Sequence, residues 1–158
     1  MKQQIKKFED LRIWQDSHLL TIEIYNSIQE HSAVYCGDEL NADMSSSFGG
    51  IPRSLERGGC HKITKKFPKD ELYGVISQLR RASSSVPANI VEGFYRHSTK
   101  ELINFLFNAR GSTGEVIYFL LLSKDLGYID QERYIKMREK CELLAMSINA
   151  LINSLNKK

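Results

Sequence analysis

FPKDELYGVISQLRRASSSVPANIVEGFYRHSTKELINFLFNARGSTGE, residues 67–115, contains two apolar-striped segments joined between Gly93 and Ser98. In the first, Leu72, Ile76, Leu79, Ser83, Val86, Ile90 and Phe94 recur at spacings of four and three. That spacing lines one face of an α-helix, which starts after Pro68 with Asp70 as its expected cap. The second opens on Ser98-Thr99-Lys100-Glu101, a capping box in which Ser98 and Glu101 satisfy each other's backbone amides. Its core stripe is Leu102, Leu106, Ala109, Thr113, Val116 and Leu120, and Gly127 supplies a stop signal.

Working outward, the flanks repeat the pattern. Leu11, Trp14, His18, Ile22 and Tyr25 predict a first helix capped by Asp10. Asp130 caps a fourth helix striped by Tyr134, Met137, Cys141, Leu144, Ile148, Leu151 and Leu155. No segment alternates with period two for long enough to make a strand. The fold class expected is therefore all-α: an antiparallel up-and-down four-helix bundle forming one domain over residues 1–158. Between the first two helices lies HSAVYCGDELNADMSSSFGGIPRSLERGGCHK, residues 31–62, which is rich in Gly and Ser and has little periodicity. It is far longer than an ordinary helix connection and reads as a long irregular excursion. Its His31, Cys36, Cys60 and His61 have no zinc-finger spacing, and adjacent Cys60 and His61 are awkward joint ligands, so no metal site is expected.

Two places break helical rules. Pro87 removes a backbone bond inside the second helix, which must kink or restart, with Ser85 placed to cap the restart. Gly111 and Gly114 each weaken the third helix. The compensation expected is a close crossing, with Ala82, Ser85, Asn89 and Gly93 against Ala109, Ser112 and Thr113. The third helix is also apolar on a second face, where Ile103, Phe107, Tyr118 and Leu121 fall nearly opposite the core stripe. A lone bundle has no use for that stripe. It reads as a homo-oligomer interface, unless the long excursion covers it.

Composition narrows the function classes. Of 158 residues, 42% are hydrophobic and 26% charged, as in ordinary soluble domains, and the net charge of +3 allows a nucleic-acid partner without requiring one. The start lacks a signal-peptide core and no apolar run spans a bilayer, so a cytoplasmic location is expected. Three cysteines at irregular spacing do not make a disulfide framework. Ser83-Ser84-Ser85 has no nucleophile-elbow context, and His18 and His97 lie in different segments. A lone histidine on an apolar stripe, such as His18, is expected in the core rather than in a catalytic site. There is no phosphate-binding glycine loop, so neither enzyme activity nor a cofactor or small-molecule substrate is expected.

The arginines are better placed for binding than for chemistry. Arg81 falls opposite the core stripe of the second helix and Arg80 flanks it, both within reach of a phosphate. Arg96, His97 and Lys100 surround the opening of the third helix, where free amides also favour anions, and Arg110 lies beside the second apolar stripe. Glu92, Glu101 and Glu115 offer the alternative of structural or intersubunit ion pairs.

Leu79 to Ala82, Ser85 to Gly93, Arg96 to Glu101 and Gly111 to Glu115 together resemble the signature of the 23S rRNA-intervening-sequence proteins, and FEDLRIWQDSH and KDLGYID match as well. Joining Ile24-Tyr25-Asn26 directly to Ile63-Thr64-Lys65 would restore an unbroken family-like sequence, so residues from about 27 to 62 read as an in-frame insertion, dispensable for folding. The resemblance implies a small bacterial four-helix bundle, encoded within ribosomal RNA gene insertions or elsewhere. It is similar to the accessory protein of diversity-generating retroelements, a pentameric barrel with a basic surface. The resemblance thus implies a homo-oligomer, a pentamer by that likeness, that binds RNA or an RNP through Arg80, Arg81, Arg96, Lys100 and Arg110. The alternative is a protein scaffold that docks a partner such as a reverse transcriptase on the third helix or the insertion.

Overall fold

The computed structural model describes residues 7–32 and 74–157, with side chains at 7–28 and 74–157. A short 3-10 turn, Phe8–Asp10, leads into α1 (Arg12–Ser32), followed by α2 (Val75–Phe94), α3 (Thr99–Asp125) and α4 (Gln131–Asn156). Each helix touches two neighbours in the cyclic order α1, α2, α3, α4, and among the described residues the diagonal pairs do not meet. Cross-helix bonds fix the directions. Phe8 meets Tyr95 while Tyr25 meets Arg80, which makes α1 and α2 antiparallel, and Ser85–Ser112 and Arg110–Asn149 join helices linked by short turns, so α1 to α4 alternate in direction as an up-and-down bundle.

The predicted stripes of α2, α3 and α4 form the core. Ile76, Leu79, Ser83, Val86 and Ile90 are buried on α2, Leu106, Ala109, Thr113, Val116 and Leu120 on α3, and Tyr134, Met137, Cys141, Leu144 and Ile148 on α4. Leu151 and Leu155 only pack against the core edge, and Ile152 takes the buried position. Asp70 and Leu72 lie outside the described residues. Ser98 Oγ accepts the Glu101 amide at 3.2 Å and donates to the Glu101 carboxylate at 2.8 Å, so the reciprocal arm of the box ends on the hydroxyl rather than on the Ser98 amide. Asp130 accepts the Arg133 amide at 2.8 Å. Gly127, at φ 76°, turns the chain out of α3 in a conformation that an L side chain resists.

The expected stripe of α1 is rotated by one residue. Ile13, Ser17, Leu20, Ile24 and Ile28 are buried, whereas His18 and Ile22 are exposed and Trp14 and Tyr25 half-buried. The aromatic residues serve the rim instead. Trp14 sits edge-on to Phe8 with centroids 5.0 Å apart and stacks on His18 at 4.9 Å, so His18 is not a core histidine. The helix also continues through Ser32, six residues into the span read as an insertion; 33–62 lies outside the described residues, as do the side chains of the weighed zinc ligands.

Both rule-breaking sites turn out differently from expectation. α2 runs unbroken through Pro87. Proline lacks the amide that would bond the Ser83 carbonyl one turn back, and Thr21 Oγ1 of α1 donates to that carbonyl at 2.8 Å instead. Ser85 caps nothing; its hydroxyl bonds Ser112 at 3.0 Å and receives Asn89 Nδ2 at 3.1 Å, a polar clasp between α2 and α3. Gly93 does allow the expected close crossing, since a Cβ there would lie 2.8 Å from Phe105 Cβ and 3.1 Å from Leu102 Cδ1. Gly111 and Gly114 do not take part in it. A Cβ on either would meet nothing within 4 Å, because both face away from the bundle.

Candidate nucleic-acid interface and assembly face

The five candidate cations do not converge on one patch. Arg81 and Lys100 are exposed and have no carboxylate partner among the described residues. Arg81 opens into a groove of about 510 Å³ between α2 and α3, lined by Gln78, Ala82, Gly114, Glu115, Tyr118 and Phe119. Lys100 stands in the first turn of α3, at the opposite end of the α2–α3 pair. Thirteen residues separate Arg81 from the end of α2, so about 20 Å of helix lies between the two regions.

The other three are engaged. Arg80 is half-buried, with its guanidinium 5.3 Å from the Tyr25 ring centroid and a buried Nε that lacks a hydrogen-bond partner. It does not reach outward as its position in the sequence suggested. Arg96 pairs with Glu92 one turn back and lies 5.0 Å over Phe105. That ion pair is open to solvent, where such pairs contribute about 0–1 kcal/mol, so a phosphate could displace the carboxylate at little cost. Arg110 donates to Asn149 Oδ1 on α4 and covers Phe107 at 5.1 Å. It packs as a clamp between α3 and α4.

The four predicted interface residues divide in the same way. Phe107 and Tyr118 are 42% and 57% exposed and stand on the outer side of α3. Ile103 and Leu121 pack in part against the core and form the flank of that face. Tyr118 is oriented by an edge-on contact with Phe119 at 5.2 Å. A second apolar surface was missed in the sequence. Leu19 on α1 and Leu143 on α4 are each more than 60% exposed and line the groove between those helices, and Met146 on α4 is exposed to a similar degree. Placing the α1 stripe one residue too far along had hidden it. The Glu23–Lys140 ion pair bridges this groove.

The serines and the cysteine weighed as nucleophiles are engaged in the packing of the bundle. The hydroxyls of Ser83 and Ser84 donate to the carbonyls of Arg80 and Arg81 within their own helix. Cys141 is buried, and desolvation pushes its thiol up to about 12, so it is not a nucleophile at neutral pH. Among the described residues no three His, Cys, Asp or Glu side chains gather as a metal site, and no helix is long and apolar enough to cross a membrane.

No curated protein matches the chain. The family profile described as 23S rRNA-intervening sequence protein matches residues 54–150, well over half of the sequence. That span holds the whole α2–α3 pair, with the Ser85–Ser112 clasp and the Gly93 crossing, and most of α4. The chain belongs to the 23S rRNA-intervening sequence protein family.

Proposed function

We propose that this chain is a non-enzymatic, homo-oligomeric accessory protein that contacts RNA, with Arg81 as its principal phosphate contact. The observation that carries the proposal is the exposed Arg81 guanidinium, which has no carboxylate partner among the described residues and opens into a groove beside a projecting aromatic ring. An arginine left in water at a groove is available to a phosphate without breaking any internal bond. Arg96 adds a weaker contact, since it must first leave Glu92. Arg80 and Arg110 support the bundle rather than the ligand. Membership of a family associated with ribosomal RNA intervening sequences supports RNA as the partner, and the exposed Phe107 and Tyr118 support self-association.

The test is fluorescence anisotropy with a labelled single-stranded RNA over a salt series. The wild type binds with a steep salt dependence, Arg81→Glu weakens binding at least tenfold and flattens the salt slope by about one, and Arg110→Glu weakens it less. Absence of binding at low salt defeats the RNA assignment. An Arg81→Glu variant that binds like wild type defeats the role given to Arg81.

A further inference from the structure

The seam between α1 and α4 is open along most of its length. Two grooves of about 590 and 530 Å³ follow one another there and share Leu19 and Glu23. Arg12 lines the first, and Ser27 and Asp130 line the far end of the second. Leu19, Ile22 and Leu143 stand exposed on the walls, and Met146 is exposed one turn further along α4. Apolar side chains gathered in this way along one seam mark a contact surface.

The chain supplies an occupant of suitable length that starts at the right place. Tyr25 meets Arg80 across antiparallel α1 and α2, so Ser32 and Gly74 lie at one end of the bundle. It is the end where Ser27 and Asp130 line the groove. A link between two such helices needs about 2–8 residues, whereas residues 33–73 number 41. The groove, from Arg12 to Ser27, is about 22 Å long at the helical rise. A chain of that length extends to about 140 Å, enough to run down the groove and return.

The sequence of that link suits the groove. Leu40, Met44, Phe48, Ile51 and Leu55 recur every third or fourth residue through an otherwise Gly- and Ser-rich stretch. Asp38, Glu39 and Asp43 accompany the first of them, and no Lys or Arg occurs between Ser32 and Arg53. On the groove wall at the same end of the bundle, Lys136 is exposed and makes no ion pair among the described residues, not even with Glu132 one turn back. The other wall has its charges engaged, Asp16 with Arg12 and Glu23 with Lys140. We propose that residues 38–55 of the same chain lie in the α1–α4 groove. Asp38, Glu39 and Asp43 then approach Lys136, and the apolar line from Leu40 to Leu55 covers Ile22, Leu19 and Leu143. The segment read as an insertion thereby shields an apolar face of its own bundle and withdraws that face from other partners. The inference is independent of the RNA reading, which concerns the α2–α3 side.

Photo-cross-linking of the full chain tests it. With p-benzoylphenylalanine replacing Phe48, a mixture of isotopically heavy and unlabelled chains is irradiated and the products are mapped by mass spectrometry. The expected products join residue 48 to the peptides that carry Leu19 or Leu143 within one chain. Leu143→Lys lowers their yield at least fivefold with helicity retained in circular dichroism, since the position is exposed in the bundle. Leu19→Lys repeats the test on the other wall, Lys136→Glu lowers the yield at low salt, and Phe107→Lys, on the outer side of α3, leaves it unchanged. Products scattered over all four helices overturn the groove assignment, as does a yield that neither Leu143→Lys nor Leu19→Lys reduces. Products that join a heavy chain to an unlabelled one show the segment of another copy in the groove and overturn the assignment to the same chain.

Discussion

Removing the Thr21 hydroxyl tests how α2 carries a proline through its middle. Pro87 has no amide to give the Ser83 carbonyl, and Ser83 is 2% exposed, so water is not a ready substitute. Thr21 Oγ1 lies 2.8 Å from that carbonyl and 2.9 Å from Ser17 O. The Ser17 carbonyl already has the Thr21 amide in the α1 ladder, so the hydroxyl proton is needed at Ser83. Thr21→Val keeps the shape and removes the donor, leaving a buried acceptor bare, which costs about 1–3 kcal/mol. In a Pro87→Ala background the restored amide bonds Ser83 O, and the same substitution should cost less than about 0.5 kcal/mol. The coupling across the double-mutant cycle is then at least about 0.5 kcal/mol. Denaturant unfolding followed by far-UV circular dichroism reads the four proteins at one fixed concentration, because the proposed self-association would make apparent stability depend on concentration. Thr21→Ser, which keeps the hydroxyl, should stay near wild type. An equal cost for Thr21→Val in both backgrounds would refute the exchange of one donor for the other.

Glycine positions in the two helices should respond in opposite directions. Gly93→Ala places a Cβ 2.8 Å from Phe105 Cβ and should destabilise the fold by about 1–3 kcal/mol in denaturant titration, despite the better helix propensity of alanine. Gly111→Ala meets open space and should stabilise the dilute chain by up to about 1 kcal/mol while weakening its self-association; a loss of stability would place Gly111 inside the bundle. Cys141 predicts an alkaline limit. Its thiol stays protonated in the fold up to about 12 while the unfolded chain ionises near the ordinary 9.0, so the unfolded state binds fewer protons in that window and stability falls as pH rises through it. The stability advantage of wild type over Cys141→Val should therefore shrink between pH 9.0 and about 12, and a constant difference would show the thiol is not buried as described.

The stripes of α2, α3 and α4 were legible because each of these helices has one dominant apolar line in the period of its neighbours. α1 was not, because it carries two interleaved lines one residue apart. Trp14 and Tyr25 made the wrong line look heavier, yet both have polar tips suited to a rim, and the smaller Ile13, Leu20 and Ile24 fill the centre. Glycine misled for a related reason. Its pattern marks a cost in the helix but not a direction, so Gly93 and Gly111 looked alike until the neighbours were in place. The arginines were visible as candidates, but their commitments depend on residues from other helices, Tyr25 for Arg80 and Asn149 for Arg110, that no local spacing reveals.

α3 shows why the exposed apolar face proposed for assembly is a line rather than a patch. It lies between α2 and α4, and its apolar run Ile117–Leu122 is largely absorbed by both neighbours: Leu120 is buried, and Ile117, Phe119, Leu121 and Leu122 pack against the core. Only Tyr118 of that run projects, and Phe107 answers it three turns earlier. A surface one side chain wide cannot seat a globular partner with much buried area, but it suits another helix laid along it. The glycines between the two rings lower the saddle on which such a helix rests. A contact this narrow would hold moderately, so under the proposed self-association the mass should vary with concentration.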